Sequence, residues 1–285
     1  MNKKILITGA QGLIGSVILK KLIKENNFQI FSIIHPSDNF KIKKVTYFKH
    51  DLLHPLPKNE IPDDLDYVIH MAAIAHGKNS SSVMYKNCLM TKNLIDAVKD
   101  LNPFFIFFSS VSVYGEANGK FPKKTSANCK PSSYYGKGKL IDENKIKSNF
   151  KNYKILRLCP MINGVNNKDF LKRVFLPKSK IIYKSPYVRM YSFSSHSSIF
   201  DKINQILNSS SFDSNILNVK DKVDLDEKNI LSNFDGFTIK FPKLILDITF
   251  IFLNIFSFTS YIYHLNCSFH KMFKINTYWW WKHER

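Results

Sequence analysis

The segment Thr8-Gly9-Ala10-Gln11-Gly12-Leu13-Ile14-Gly15 constrains the fold more than any other part of the chain. It follows an apolar run at residues 4–8 that reads as a strand. It precedes residues 16–24, where Val17, Ile18, Leu19, Leu22 and Ile23 recur at helical spacing. Glycines between a strand and a helix let the backbone turn tightly and approach a pyrophosphate, while the helix N-terminus adds amide donors and the positive end of its dipole. Thr8, Gly9, Gln11, Gly12, Leu13, Ile14 and Gly15 are therefore candidate cofactor-binding residues. The start of the chain also has the outline of a signal peptide. Its apolar run is broken by glycines, however, no small-residue cleavage site follows, and Lys20-Lys21 closes it.

Strand and helix patterns then alternate. Strands are expected at residues 28–34, 45–48, 67–72, 104–109 and 154–158, with helices at 83–101 and within 131–150. The runs at 5–7, 67–69 and 104–108 are continuously apolar, as in strands buried on both faces. Such alternation predicts an α/β fold, a doubly wound parallel sheet. Residues 1–163 read as the dinucleotide-binding domain with the catalytic residues. Residues 164–285 read as a smaller, mainly substrate-binding region, with a helix at 198–207 and a strand at 216–219 returning to the sheet. Residues 244–263 are nearly all apolar but carry Asp247 and Asn254. A buried or interface helix is expected there, with a membrane-lying helix as the alternative.

The chain has 285 residues, enough for a sizeable core, and 42 Lys and Arg against 22 Asp and Glu give a net charge of +20. Only Arg157, Arg173, Arg189 and Arg285 are arginines, and the lysines are spread along the chain. A nucleic-acid reader clusters its bases and uses Arg for bidentate contacts, so no nucleic-acid partner is expected. A basic surface suits a phosphorylated substrate or an anionic membrane. Cys88, Cys129, Cys159 and Cys267 form no C-x-x-C pair and no metal-ligand spacing. The expectation is a reducing cytoplasm and no metal site.

Further motifs follow in order: His50-Asp51-Leu52 after the third strand, His70-Met71-Ala72-Ala73 ending the fourth, and Asn87 with Thr91-Lys92-Asn93-Leu94 on a helix. Phe108-Ser109-Ser110-Val111-Ser112-Val113-Tyr114-Gly115 ends the fifth strand, and Tyr135-Gly136-Lys137-Gly138-Lys139 places Tyr and Lys four apart on one helix face. With the G-x-x-G-x-x-G spacing after Thr8, this set resembles the extended short-chain dehydrogenase/reductase family, the NAD-dependent epimerases and dehydratases. The matches span residues 3–164.

The resemblance implies a Rossmann-type fold and a division of roles. Tyr135 would be the acid/base, while Lys139 would lower its pKa and hold the nicotinamide ribose. Ser110 would hold the substrate oxygen. Tyr134 is the rival tyrosine, but five residues from Lys139 it is rotated off the lysine face. Asp51 would reach the adenine, and Leu52, Met71, Ala72, Ala73, Asn87, Ser109 and Pro160 complete the expected cofactor contacts. Ser112, Asn163, Asn167 and Arg189 are expected at the substrate, Arg189 on a phosphate. The family's V-x-D is replaced by Ser194-Ser195-His196, and Tyr278-Trp279-Trp280-Trp281-Lys282 resembles its C-terminal L-G-W-x-P.

Relatives with these motifs act mostly on nucleotide-linked sugars. The Asp-Glu pair of 4,6-dehydratases is missing beside Ser110. This leaves a 4-epimerase or a 4-keto reductase acting at carbon 4 of a UDP- or similar sugar, in polysaccharide sugar synthesis. The end of the second strand, where an acid selects NAD, carries His35, with Lys41 and Lys43 downstream, which favours NADP(H) over NAD. A homodimer is implied by the family habit. A non-catalytic dinucleotide sensor and a membrane-surface enzyme on a lipid-linked sugar are the alternatives.

Overall fold

The computed structural model describes residues 2–57, 60–74, 80–115, 124–161, 182–184, 190–209, 213–223, 225–226, 238–240 and 242–256. In chain order the elements are β1 (Lys3–Thr8), α1 (Gly15–Glu25), β2 (Phe28–Ile34), β3 (Val45–Lys49), β4 (Tyr67–His70), α2 (Ser81–Val98), β5 (Phe104–Ser110), α3 (Tyr134–Asn149) and β6 (Tyr153–Leu158). Then come β7 (Ile182–Lys184), β8 (Met190–Tyr191), α4 (His196–Leu207), β9 (Asn215–Val219), β10 (Leu225–Asp226), β11 (Thr238–Lys240) and α5 (Lys243–Ile255). Short 3-10 turns follow α2 and β5 at Lys99–Leu101 and Val111–Tyr114.

Seven strands form one sheet in the order β3-β2-β1-β4-β5-β6-β9, every pair parallel. This is the doubly wound α/β sheet that the alternation predicts. Order reverses beside β1, so the turn after β1 lies at the switch point where such sheets bind ligands. Side chains alternate across the sheet. Leu6 joins a core cluster with Val68, Phe105, Phe107 and Ile155 and with Leu94, Val98 and Ile146 of α2 and α3, whereas Ile5 and Ile7, equally buried, point to the opposite face. α1 buries Ile18, Leu19 and Leu22 and meets α4, where the Lys21 ammonium sits 4.7 Å from the centre of the Phe200 ring.

Helix ends follow local chemistry. Ser80 Oγ accepts the Val83 amide and starts α2 at Ser81, two residues before the apolar spacing begins. Ser133 Oγ accepts the Gly136 amide, so α3 starts at Tyr134, inside the expected 131–150. β4 stops at His70, short of the expected 72; beyond it the Met71 amide donates to the Thr8 carbonyl.

Chain contacts divide the protein into two units. The first holds Met1–Val113, Ser133–Leu158 and His196–Val219 and contains the seven-stranded sheet. The second holds Tyr114–Ser132, Cys159–Ser195 and Lys220–Arg285, with β8 antiparallel to β10 and β7 parallel to β11. In the second unit α5 buries Leu246, Phe250 and Leu253 and exposes Leu244, Ile245, Ile248, Ile251, Phe252 and Ile255. The apolar segment is thus half buried rather than enclosed; residues 257–263 lie outside the described residues. Among the described residues no helix is long and apolar enough to cross a membrane.

Candidate active site

The turn after β1 is built by two glycines that tolerate no side chain. Gly9 has φ +74°, and a Cβ there would lie 2.5 Å from the Ala72 amide nitrogen. A Cβ on Gly15 would lie 2.1 Å from the Gly9 carbonyl oxygen. The Gly12 amide closes the turn on the Gly9 carbonyl at 3.1 Å, and Ser16 N donates to Gly12 O at 3.0 Å. The amides of Leu13 and Ile14 have no backbone acceptor among the described residues, and Leu13 is 56% exposed. A close-approach cradle with two amides left without a backbone acceptor at a helix start is the shape a pyrophosphate fits. Gln11 is half-buried in the same turn.

Thr8, at the end of β1, anchors the neighbouring loop. Its hydroxyl lies 2.6 Å from His70 Nδ1 and accepts the Ala72 amide at 3.3 Å. Met71, Ala72 and Ala73 are half-buried beside it. His70 Nε2 lies 3.1 Å from Thr91 Oγ1, which donates to Asp142 Oδ2 at 3.0 Å. Four buried side chains thereby link the glycine turn to α3. Sequence reasoning read Thr91 and His70 as motif letters and missed Asp142; only its buried position on the Lys139 helix could have drawn notice.

Asn87 accepts the Ile74 amide at 2.8 Å and donates to the Ile74 carbonyl at 3.3 Å. It splints the backbone after β4, so its amide is already committed. Ser109 likewise donates to Glu143 Oε1 at 2.6 Å. Glu143 also receives Arg157 Nε at 2.9 Å and Nη2 at 2.7 Å, all three side chains being buried. Arg157, one of the four arginines, is thus a core residue.

Near the expected adenine end, His35 follows β2 and is exposed. Its Nδ1 lies 2.7 Å from Ser37 Oγ and its Nε2 3.9 Å from Asp51 Oδ2. Asp51 accepts the Leu53 amide at 3.0 Å, and buried Leu52 offers its carbonyl to Asn93 at 2.9 Å.

Ser110 ends β5, Tyr135 stands in the capped first turn of α3, and Lys139 lies one turn on. Ser110 Oγ accepts the Ser112 amide at 3.2 Å, lies 3.2 Å from Ser112 Oγ, and shares a hydrogen bond with the Tyr135 phenol. Burial pushes the phenol up to about 12, against the pull of Ser110. The Lys139 ammonium donates to the Phe108 carbonyl at 2.8 Å and sits 4.5 Å from the centre of the Phe107 ring. Its own pKa is lowered, chiefly by burial. Tyr134, the rival, is 41% exposed and stacks under Lys137. Pro160 belongs to the second unit, where its carbonyl accepts the Ser194 amide at 3.0 Å. Asn163, Asn167, Arg189 and Tyr278–Lys282 lie outside the described residues.

A parallel sheet with a glycine cradle at its switch point and a Ser–Tyr–Lys set beside it defines the Rossmann-type short-chain dehydrogenase/reductase class. Residues 5–176 match the NAD dependent epimerase/dehydratase family, more than half of the chain, and the chain belongs to that family. D-erythronate dehydrogenase of Haemophilus influenzae is 30% identical over 49% of this chain and 48% of its own length. An uncharacterized UDP-glucose epimerase of Bacillus subtilis is 31% identical over 49% of each. The chain thus spans about half the length of the curated relatives it matches. Among solved structures, a UDP-N-acetylglucosamine 4-epimerase of Methanobrevibacter ruminantium superposes with a TM-score of 0.67 at 23% identity, covering 85% of this chain and 86% of that one.

Proposed function

We propose that the chain is a nucleotide-sugar oxidoreductase acting at carbon 4, and that it works as a 4-keto reductase. The observation that carries this reading is the Ser110–Tyr135–Lys139 set, with the Tyr135 phenol sharing a hydrogen bond with Ser110 and Lys139 buried one turn on. The glycine cradle and the Leu13 and Ile14 amides, which have no backbone acceptor among the described residues, fit the pyrophosphate of a nicotinamide dinucleotide. Bound there, that group supplies or accepts the hydride. Tyr135, pushed up to about 12, is an acid at neutral pH and gives its proton to the oxygen of a carbonyl being reduced. Ser110 holds that oxygen, and Ser112 orients Ser110. Lys139 binds the nicotinamide ribose through its ammonium. Asn87 and Ser109 brace the cofactor edge through backbone and core contacts. Asn163, Asn167 and Arg189 complete the substrate contacts. His35, where an acid would select NAD, accommodates a 2′-phosphate and favours NADPH.

The test is to purify the protein, denature it and identify any released dinucleotide. An empty site that binds NADPH more tightly than NADH is expected of a reductase. Stoichiometric retained NAD would overturn the reductase reading in favour of a 4-epimerase; the Bacillus subtilis relative is named a UDP-glucose epimerase.

Exposed Tyr85, Tyr134 and Ile141 on α2 and α3 support a homodimer through that two-helix face. The apolar outer face of α5, headed by Lys240 and Lys243 on a chain of charge +20, supports a second reading: contact with an anionic bilayer and a lipid-linked sugar. Sedimentation with phosphatidylglycerol vesicles but not with phosphatidylcholine vesicles is expected; no sedimentation with either removes this reading.

A further inference from the structure

A buried ammonium keeps its proton only where a negative charge offsets the loss of water. Lys139 is 5% exposed, and its described partners, the Phe108 carbonyl and the Phe107 ring, carry no formal charge. α3 supplies two carboxylates next to it, Asp142 and Glu143, 1% and 0% exposed. Glu143 is occupied by the two-pronged bond from Arg157 and by Ser109. Asp142 lies three residues after Lys139, a spacing that puts the two side chains on neighbouring positions of one helix face. Its Oδ2 accepts from Thr91 at 3.0 Å, and its Oδ1 has no hydrogen-bond partner among the described residues.

We propose that Asp142 is a positioning residue for Lys139: its carboxylate is the counter-charge that keeps the lysine an ammonium, and Thr91 fixes it in place. This rests on the reading of Lys139 as the group that binds the cofactor ribose. The other titratable groups around the pair leave Asp142 as the charge that counts. His70, from β4, is pushed down to about 3 by burial and then by Lys139, and is neutral. Cys88, from α2, is pushed up to about 11 by burial and then by Asp142, and is a neutral thiol. Lys145, three residues beyond Asp142 on α3, has its Nζ 4.0 Å from Asp142 Oδ1 and is one-third exposed. Burial lowers Lys139, and Asp142 leads the groups that oppose this, ahead of Cys88 and Glu143. Burial raises Asp142, and Lys139 leads the groups that lower it. The charge of each supports the other.

The test uses NADH and NADPH fluorescence to follow binding between about pH 7 and 10, with thermal melting at each pH to confirm the fold. For the wild type, affinity falls along an alkaline limb as Lys139 loses its proton. Asp142→Asn keeps the shape and an acceptor for Thr91 but removes the charge. Its limb is expected to move down by about one pH unit, the low end of the effect of a neighbouring opposite charge. Asp142→Glu restores it, and Asp142→Ser asks the same question should the Asn variant not fold. Lys139→Met has weak binding and no limb. A limb in Asp142→Asn at the wild-type pH, with Lys139→Met still lacking it, overturns the role of Asp142 and leaves that of Lys139 standing. Wild-type binding and an unchanged limb in Lys139→Met overturn the reading of Lys139 itself, and the proposal with it.

Discussion

His70 shows how the fold decides the protonation of a single residue. It is fully buried between two threonine hydroxyls, and its pKa falls from 6.5 to about 3. The folded protein holds it neutral where the unfolded chain has taken up a proton. Its contribution to stability is therefore intact above about pH 6.5 and is lost as pH falls toward about 3. Urea unfolding between about pH 6 and 4 is expected to lose up to about 1.4 kcal/mol per pH unit from this group. His70→Gln, which cannot titrate, removes that part of the slope; an unchanged slope would show that His70 is not held neutral. Glycine spacing and the Tyr135–Lys139 interval were legible because both are local. The chain from Thr8 through His70 and Thr91 to Asp142 was not, because its bonds span 62, 21 and 51 residues. Spacing places a lysine on the tyrosine face, but only the packed structure shows that its ammonium turns to the Phe108 carbonyl.

At the scale of elements, the turn from β1 into α1 is the least forgiving. Gly15→Ala puts a methyl group 2.1 Å from a backbone oxygen that cannot swing aside, and the same turn holds the Leu13 and Ile14 amides. NADH and NADPH binding is expected to weaken at least ten-fold, about 1.4 kcal/mol or more; fluorescence titration measures it, and unchanged affinity would show that the turn does not cradle the ligand. The long elements were legible because residues such as Ile5, Leu6, Ile7, Val68, Ile69, Phe105 and Phe107 form unbroken apolar runs that only a doubly covered strand explains. β7, β8, β10 and β11 were not, because two or three residues carry no period to read. α5 reads as nearly all apolar, Asp247 and Asn254 apart; that one face packs while the other stays exposed is decided by its neighbours in space.

At the scale of the whole molecule, the chain forms two units. The first carries the seven-stranded sheet, the glycine cradle and Ser110, Tyr135 and Lys139. The second is assembled from three separate stretches of chain, so its limits cannot be read as one boundary along the sequence. Family membership rests on residues 5–176, which fall mostly on the first unit. The central claim is that this unit reduces a carbonyl with Tyr135 as the acid. The direct measurement follows NADPH oxidation at neutral pH in the presence of UDP-linked 4-keto sugars, for the wild type and for Tyr135→Phe. The account predicts turnover by the wild type and a loss of about 10²- to 10⁴-fold in the variant, with NADPH binding retained. Turnover by Tyr135→Phe within a few-fold of the wild type would contradict it.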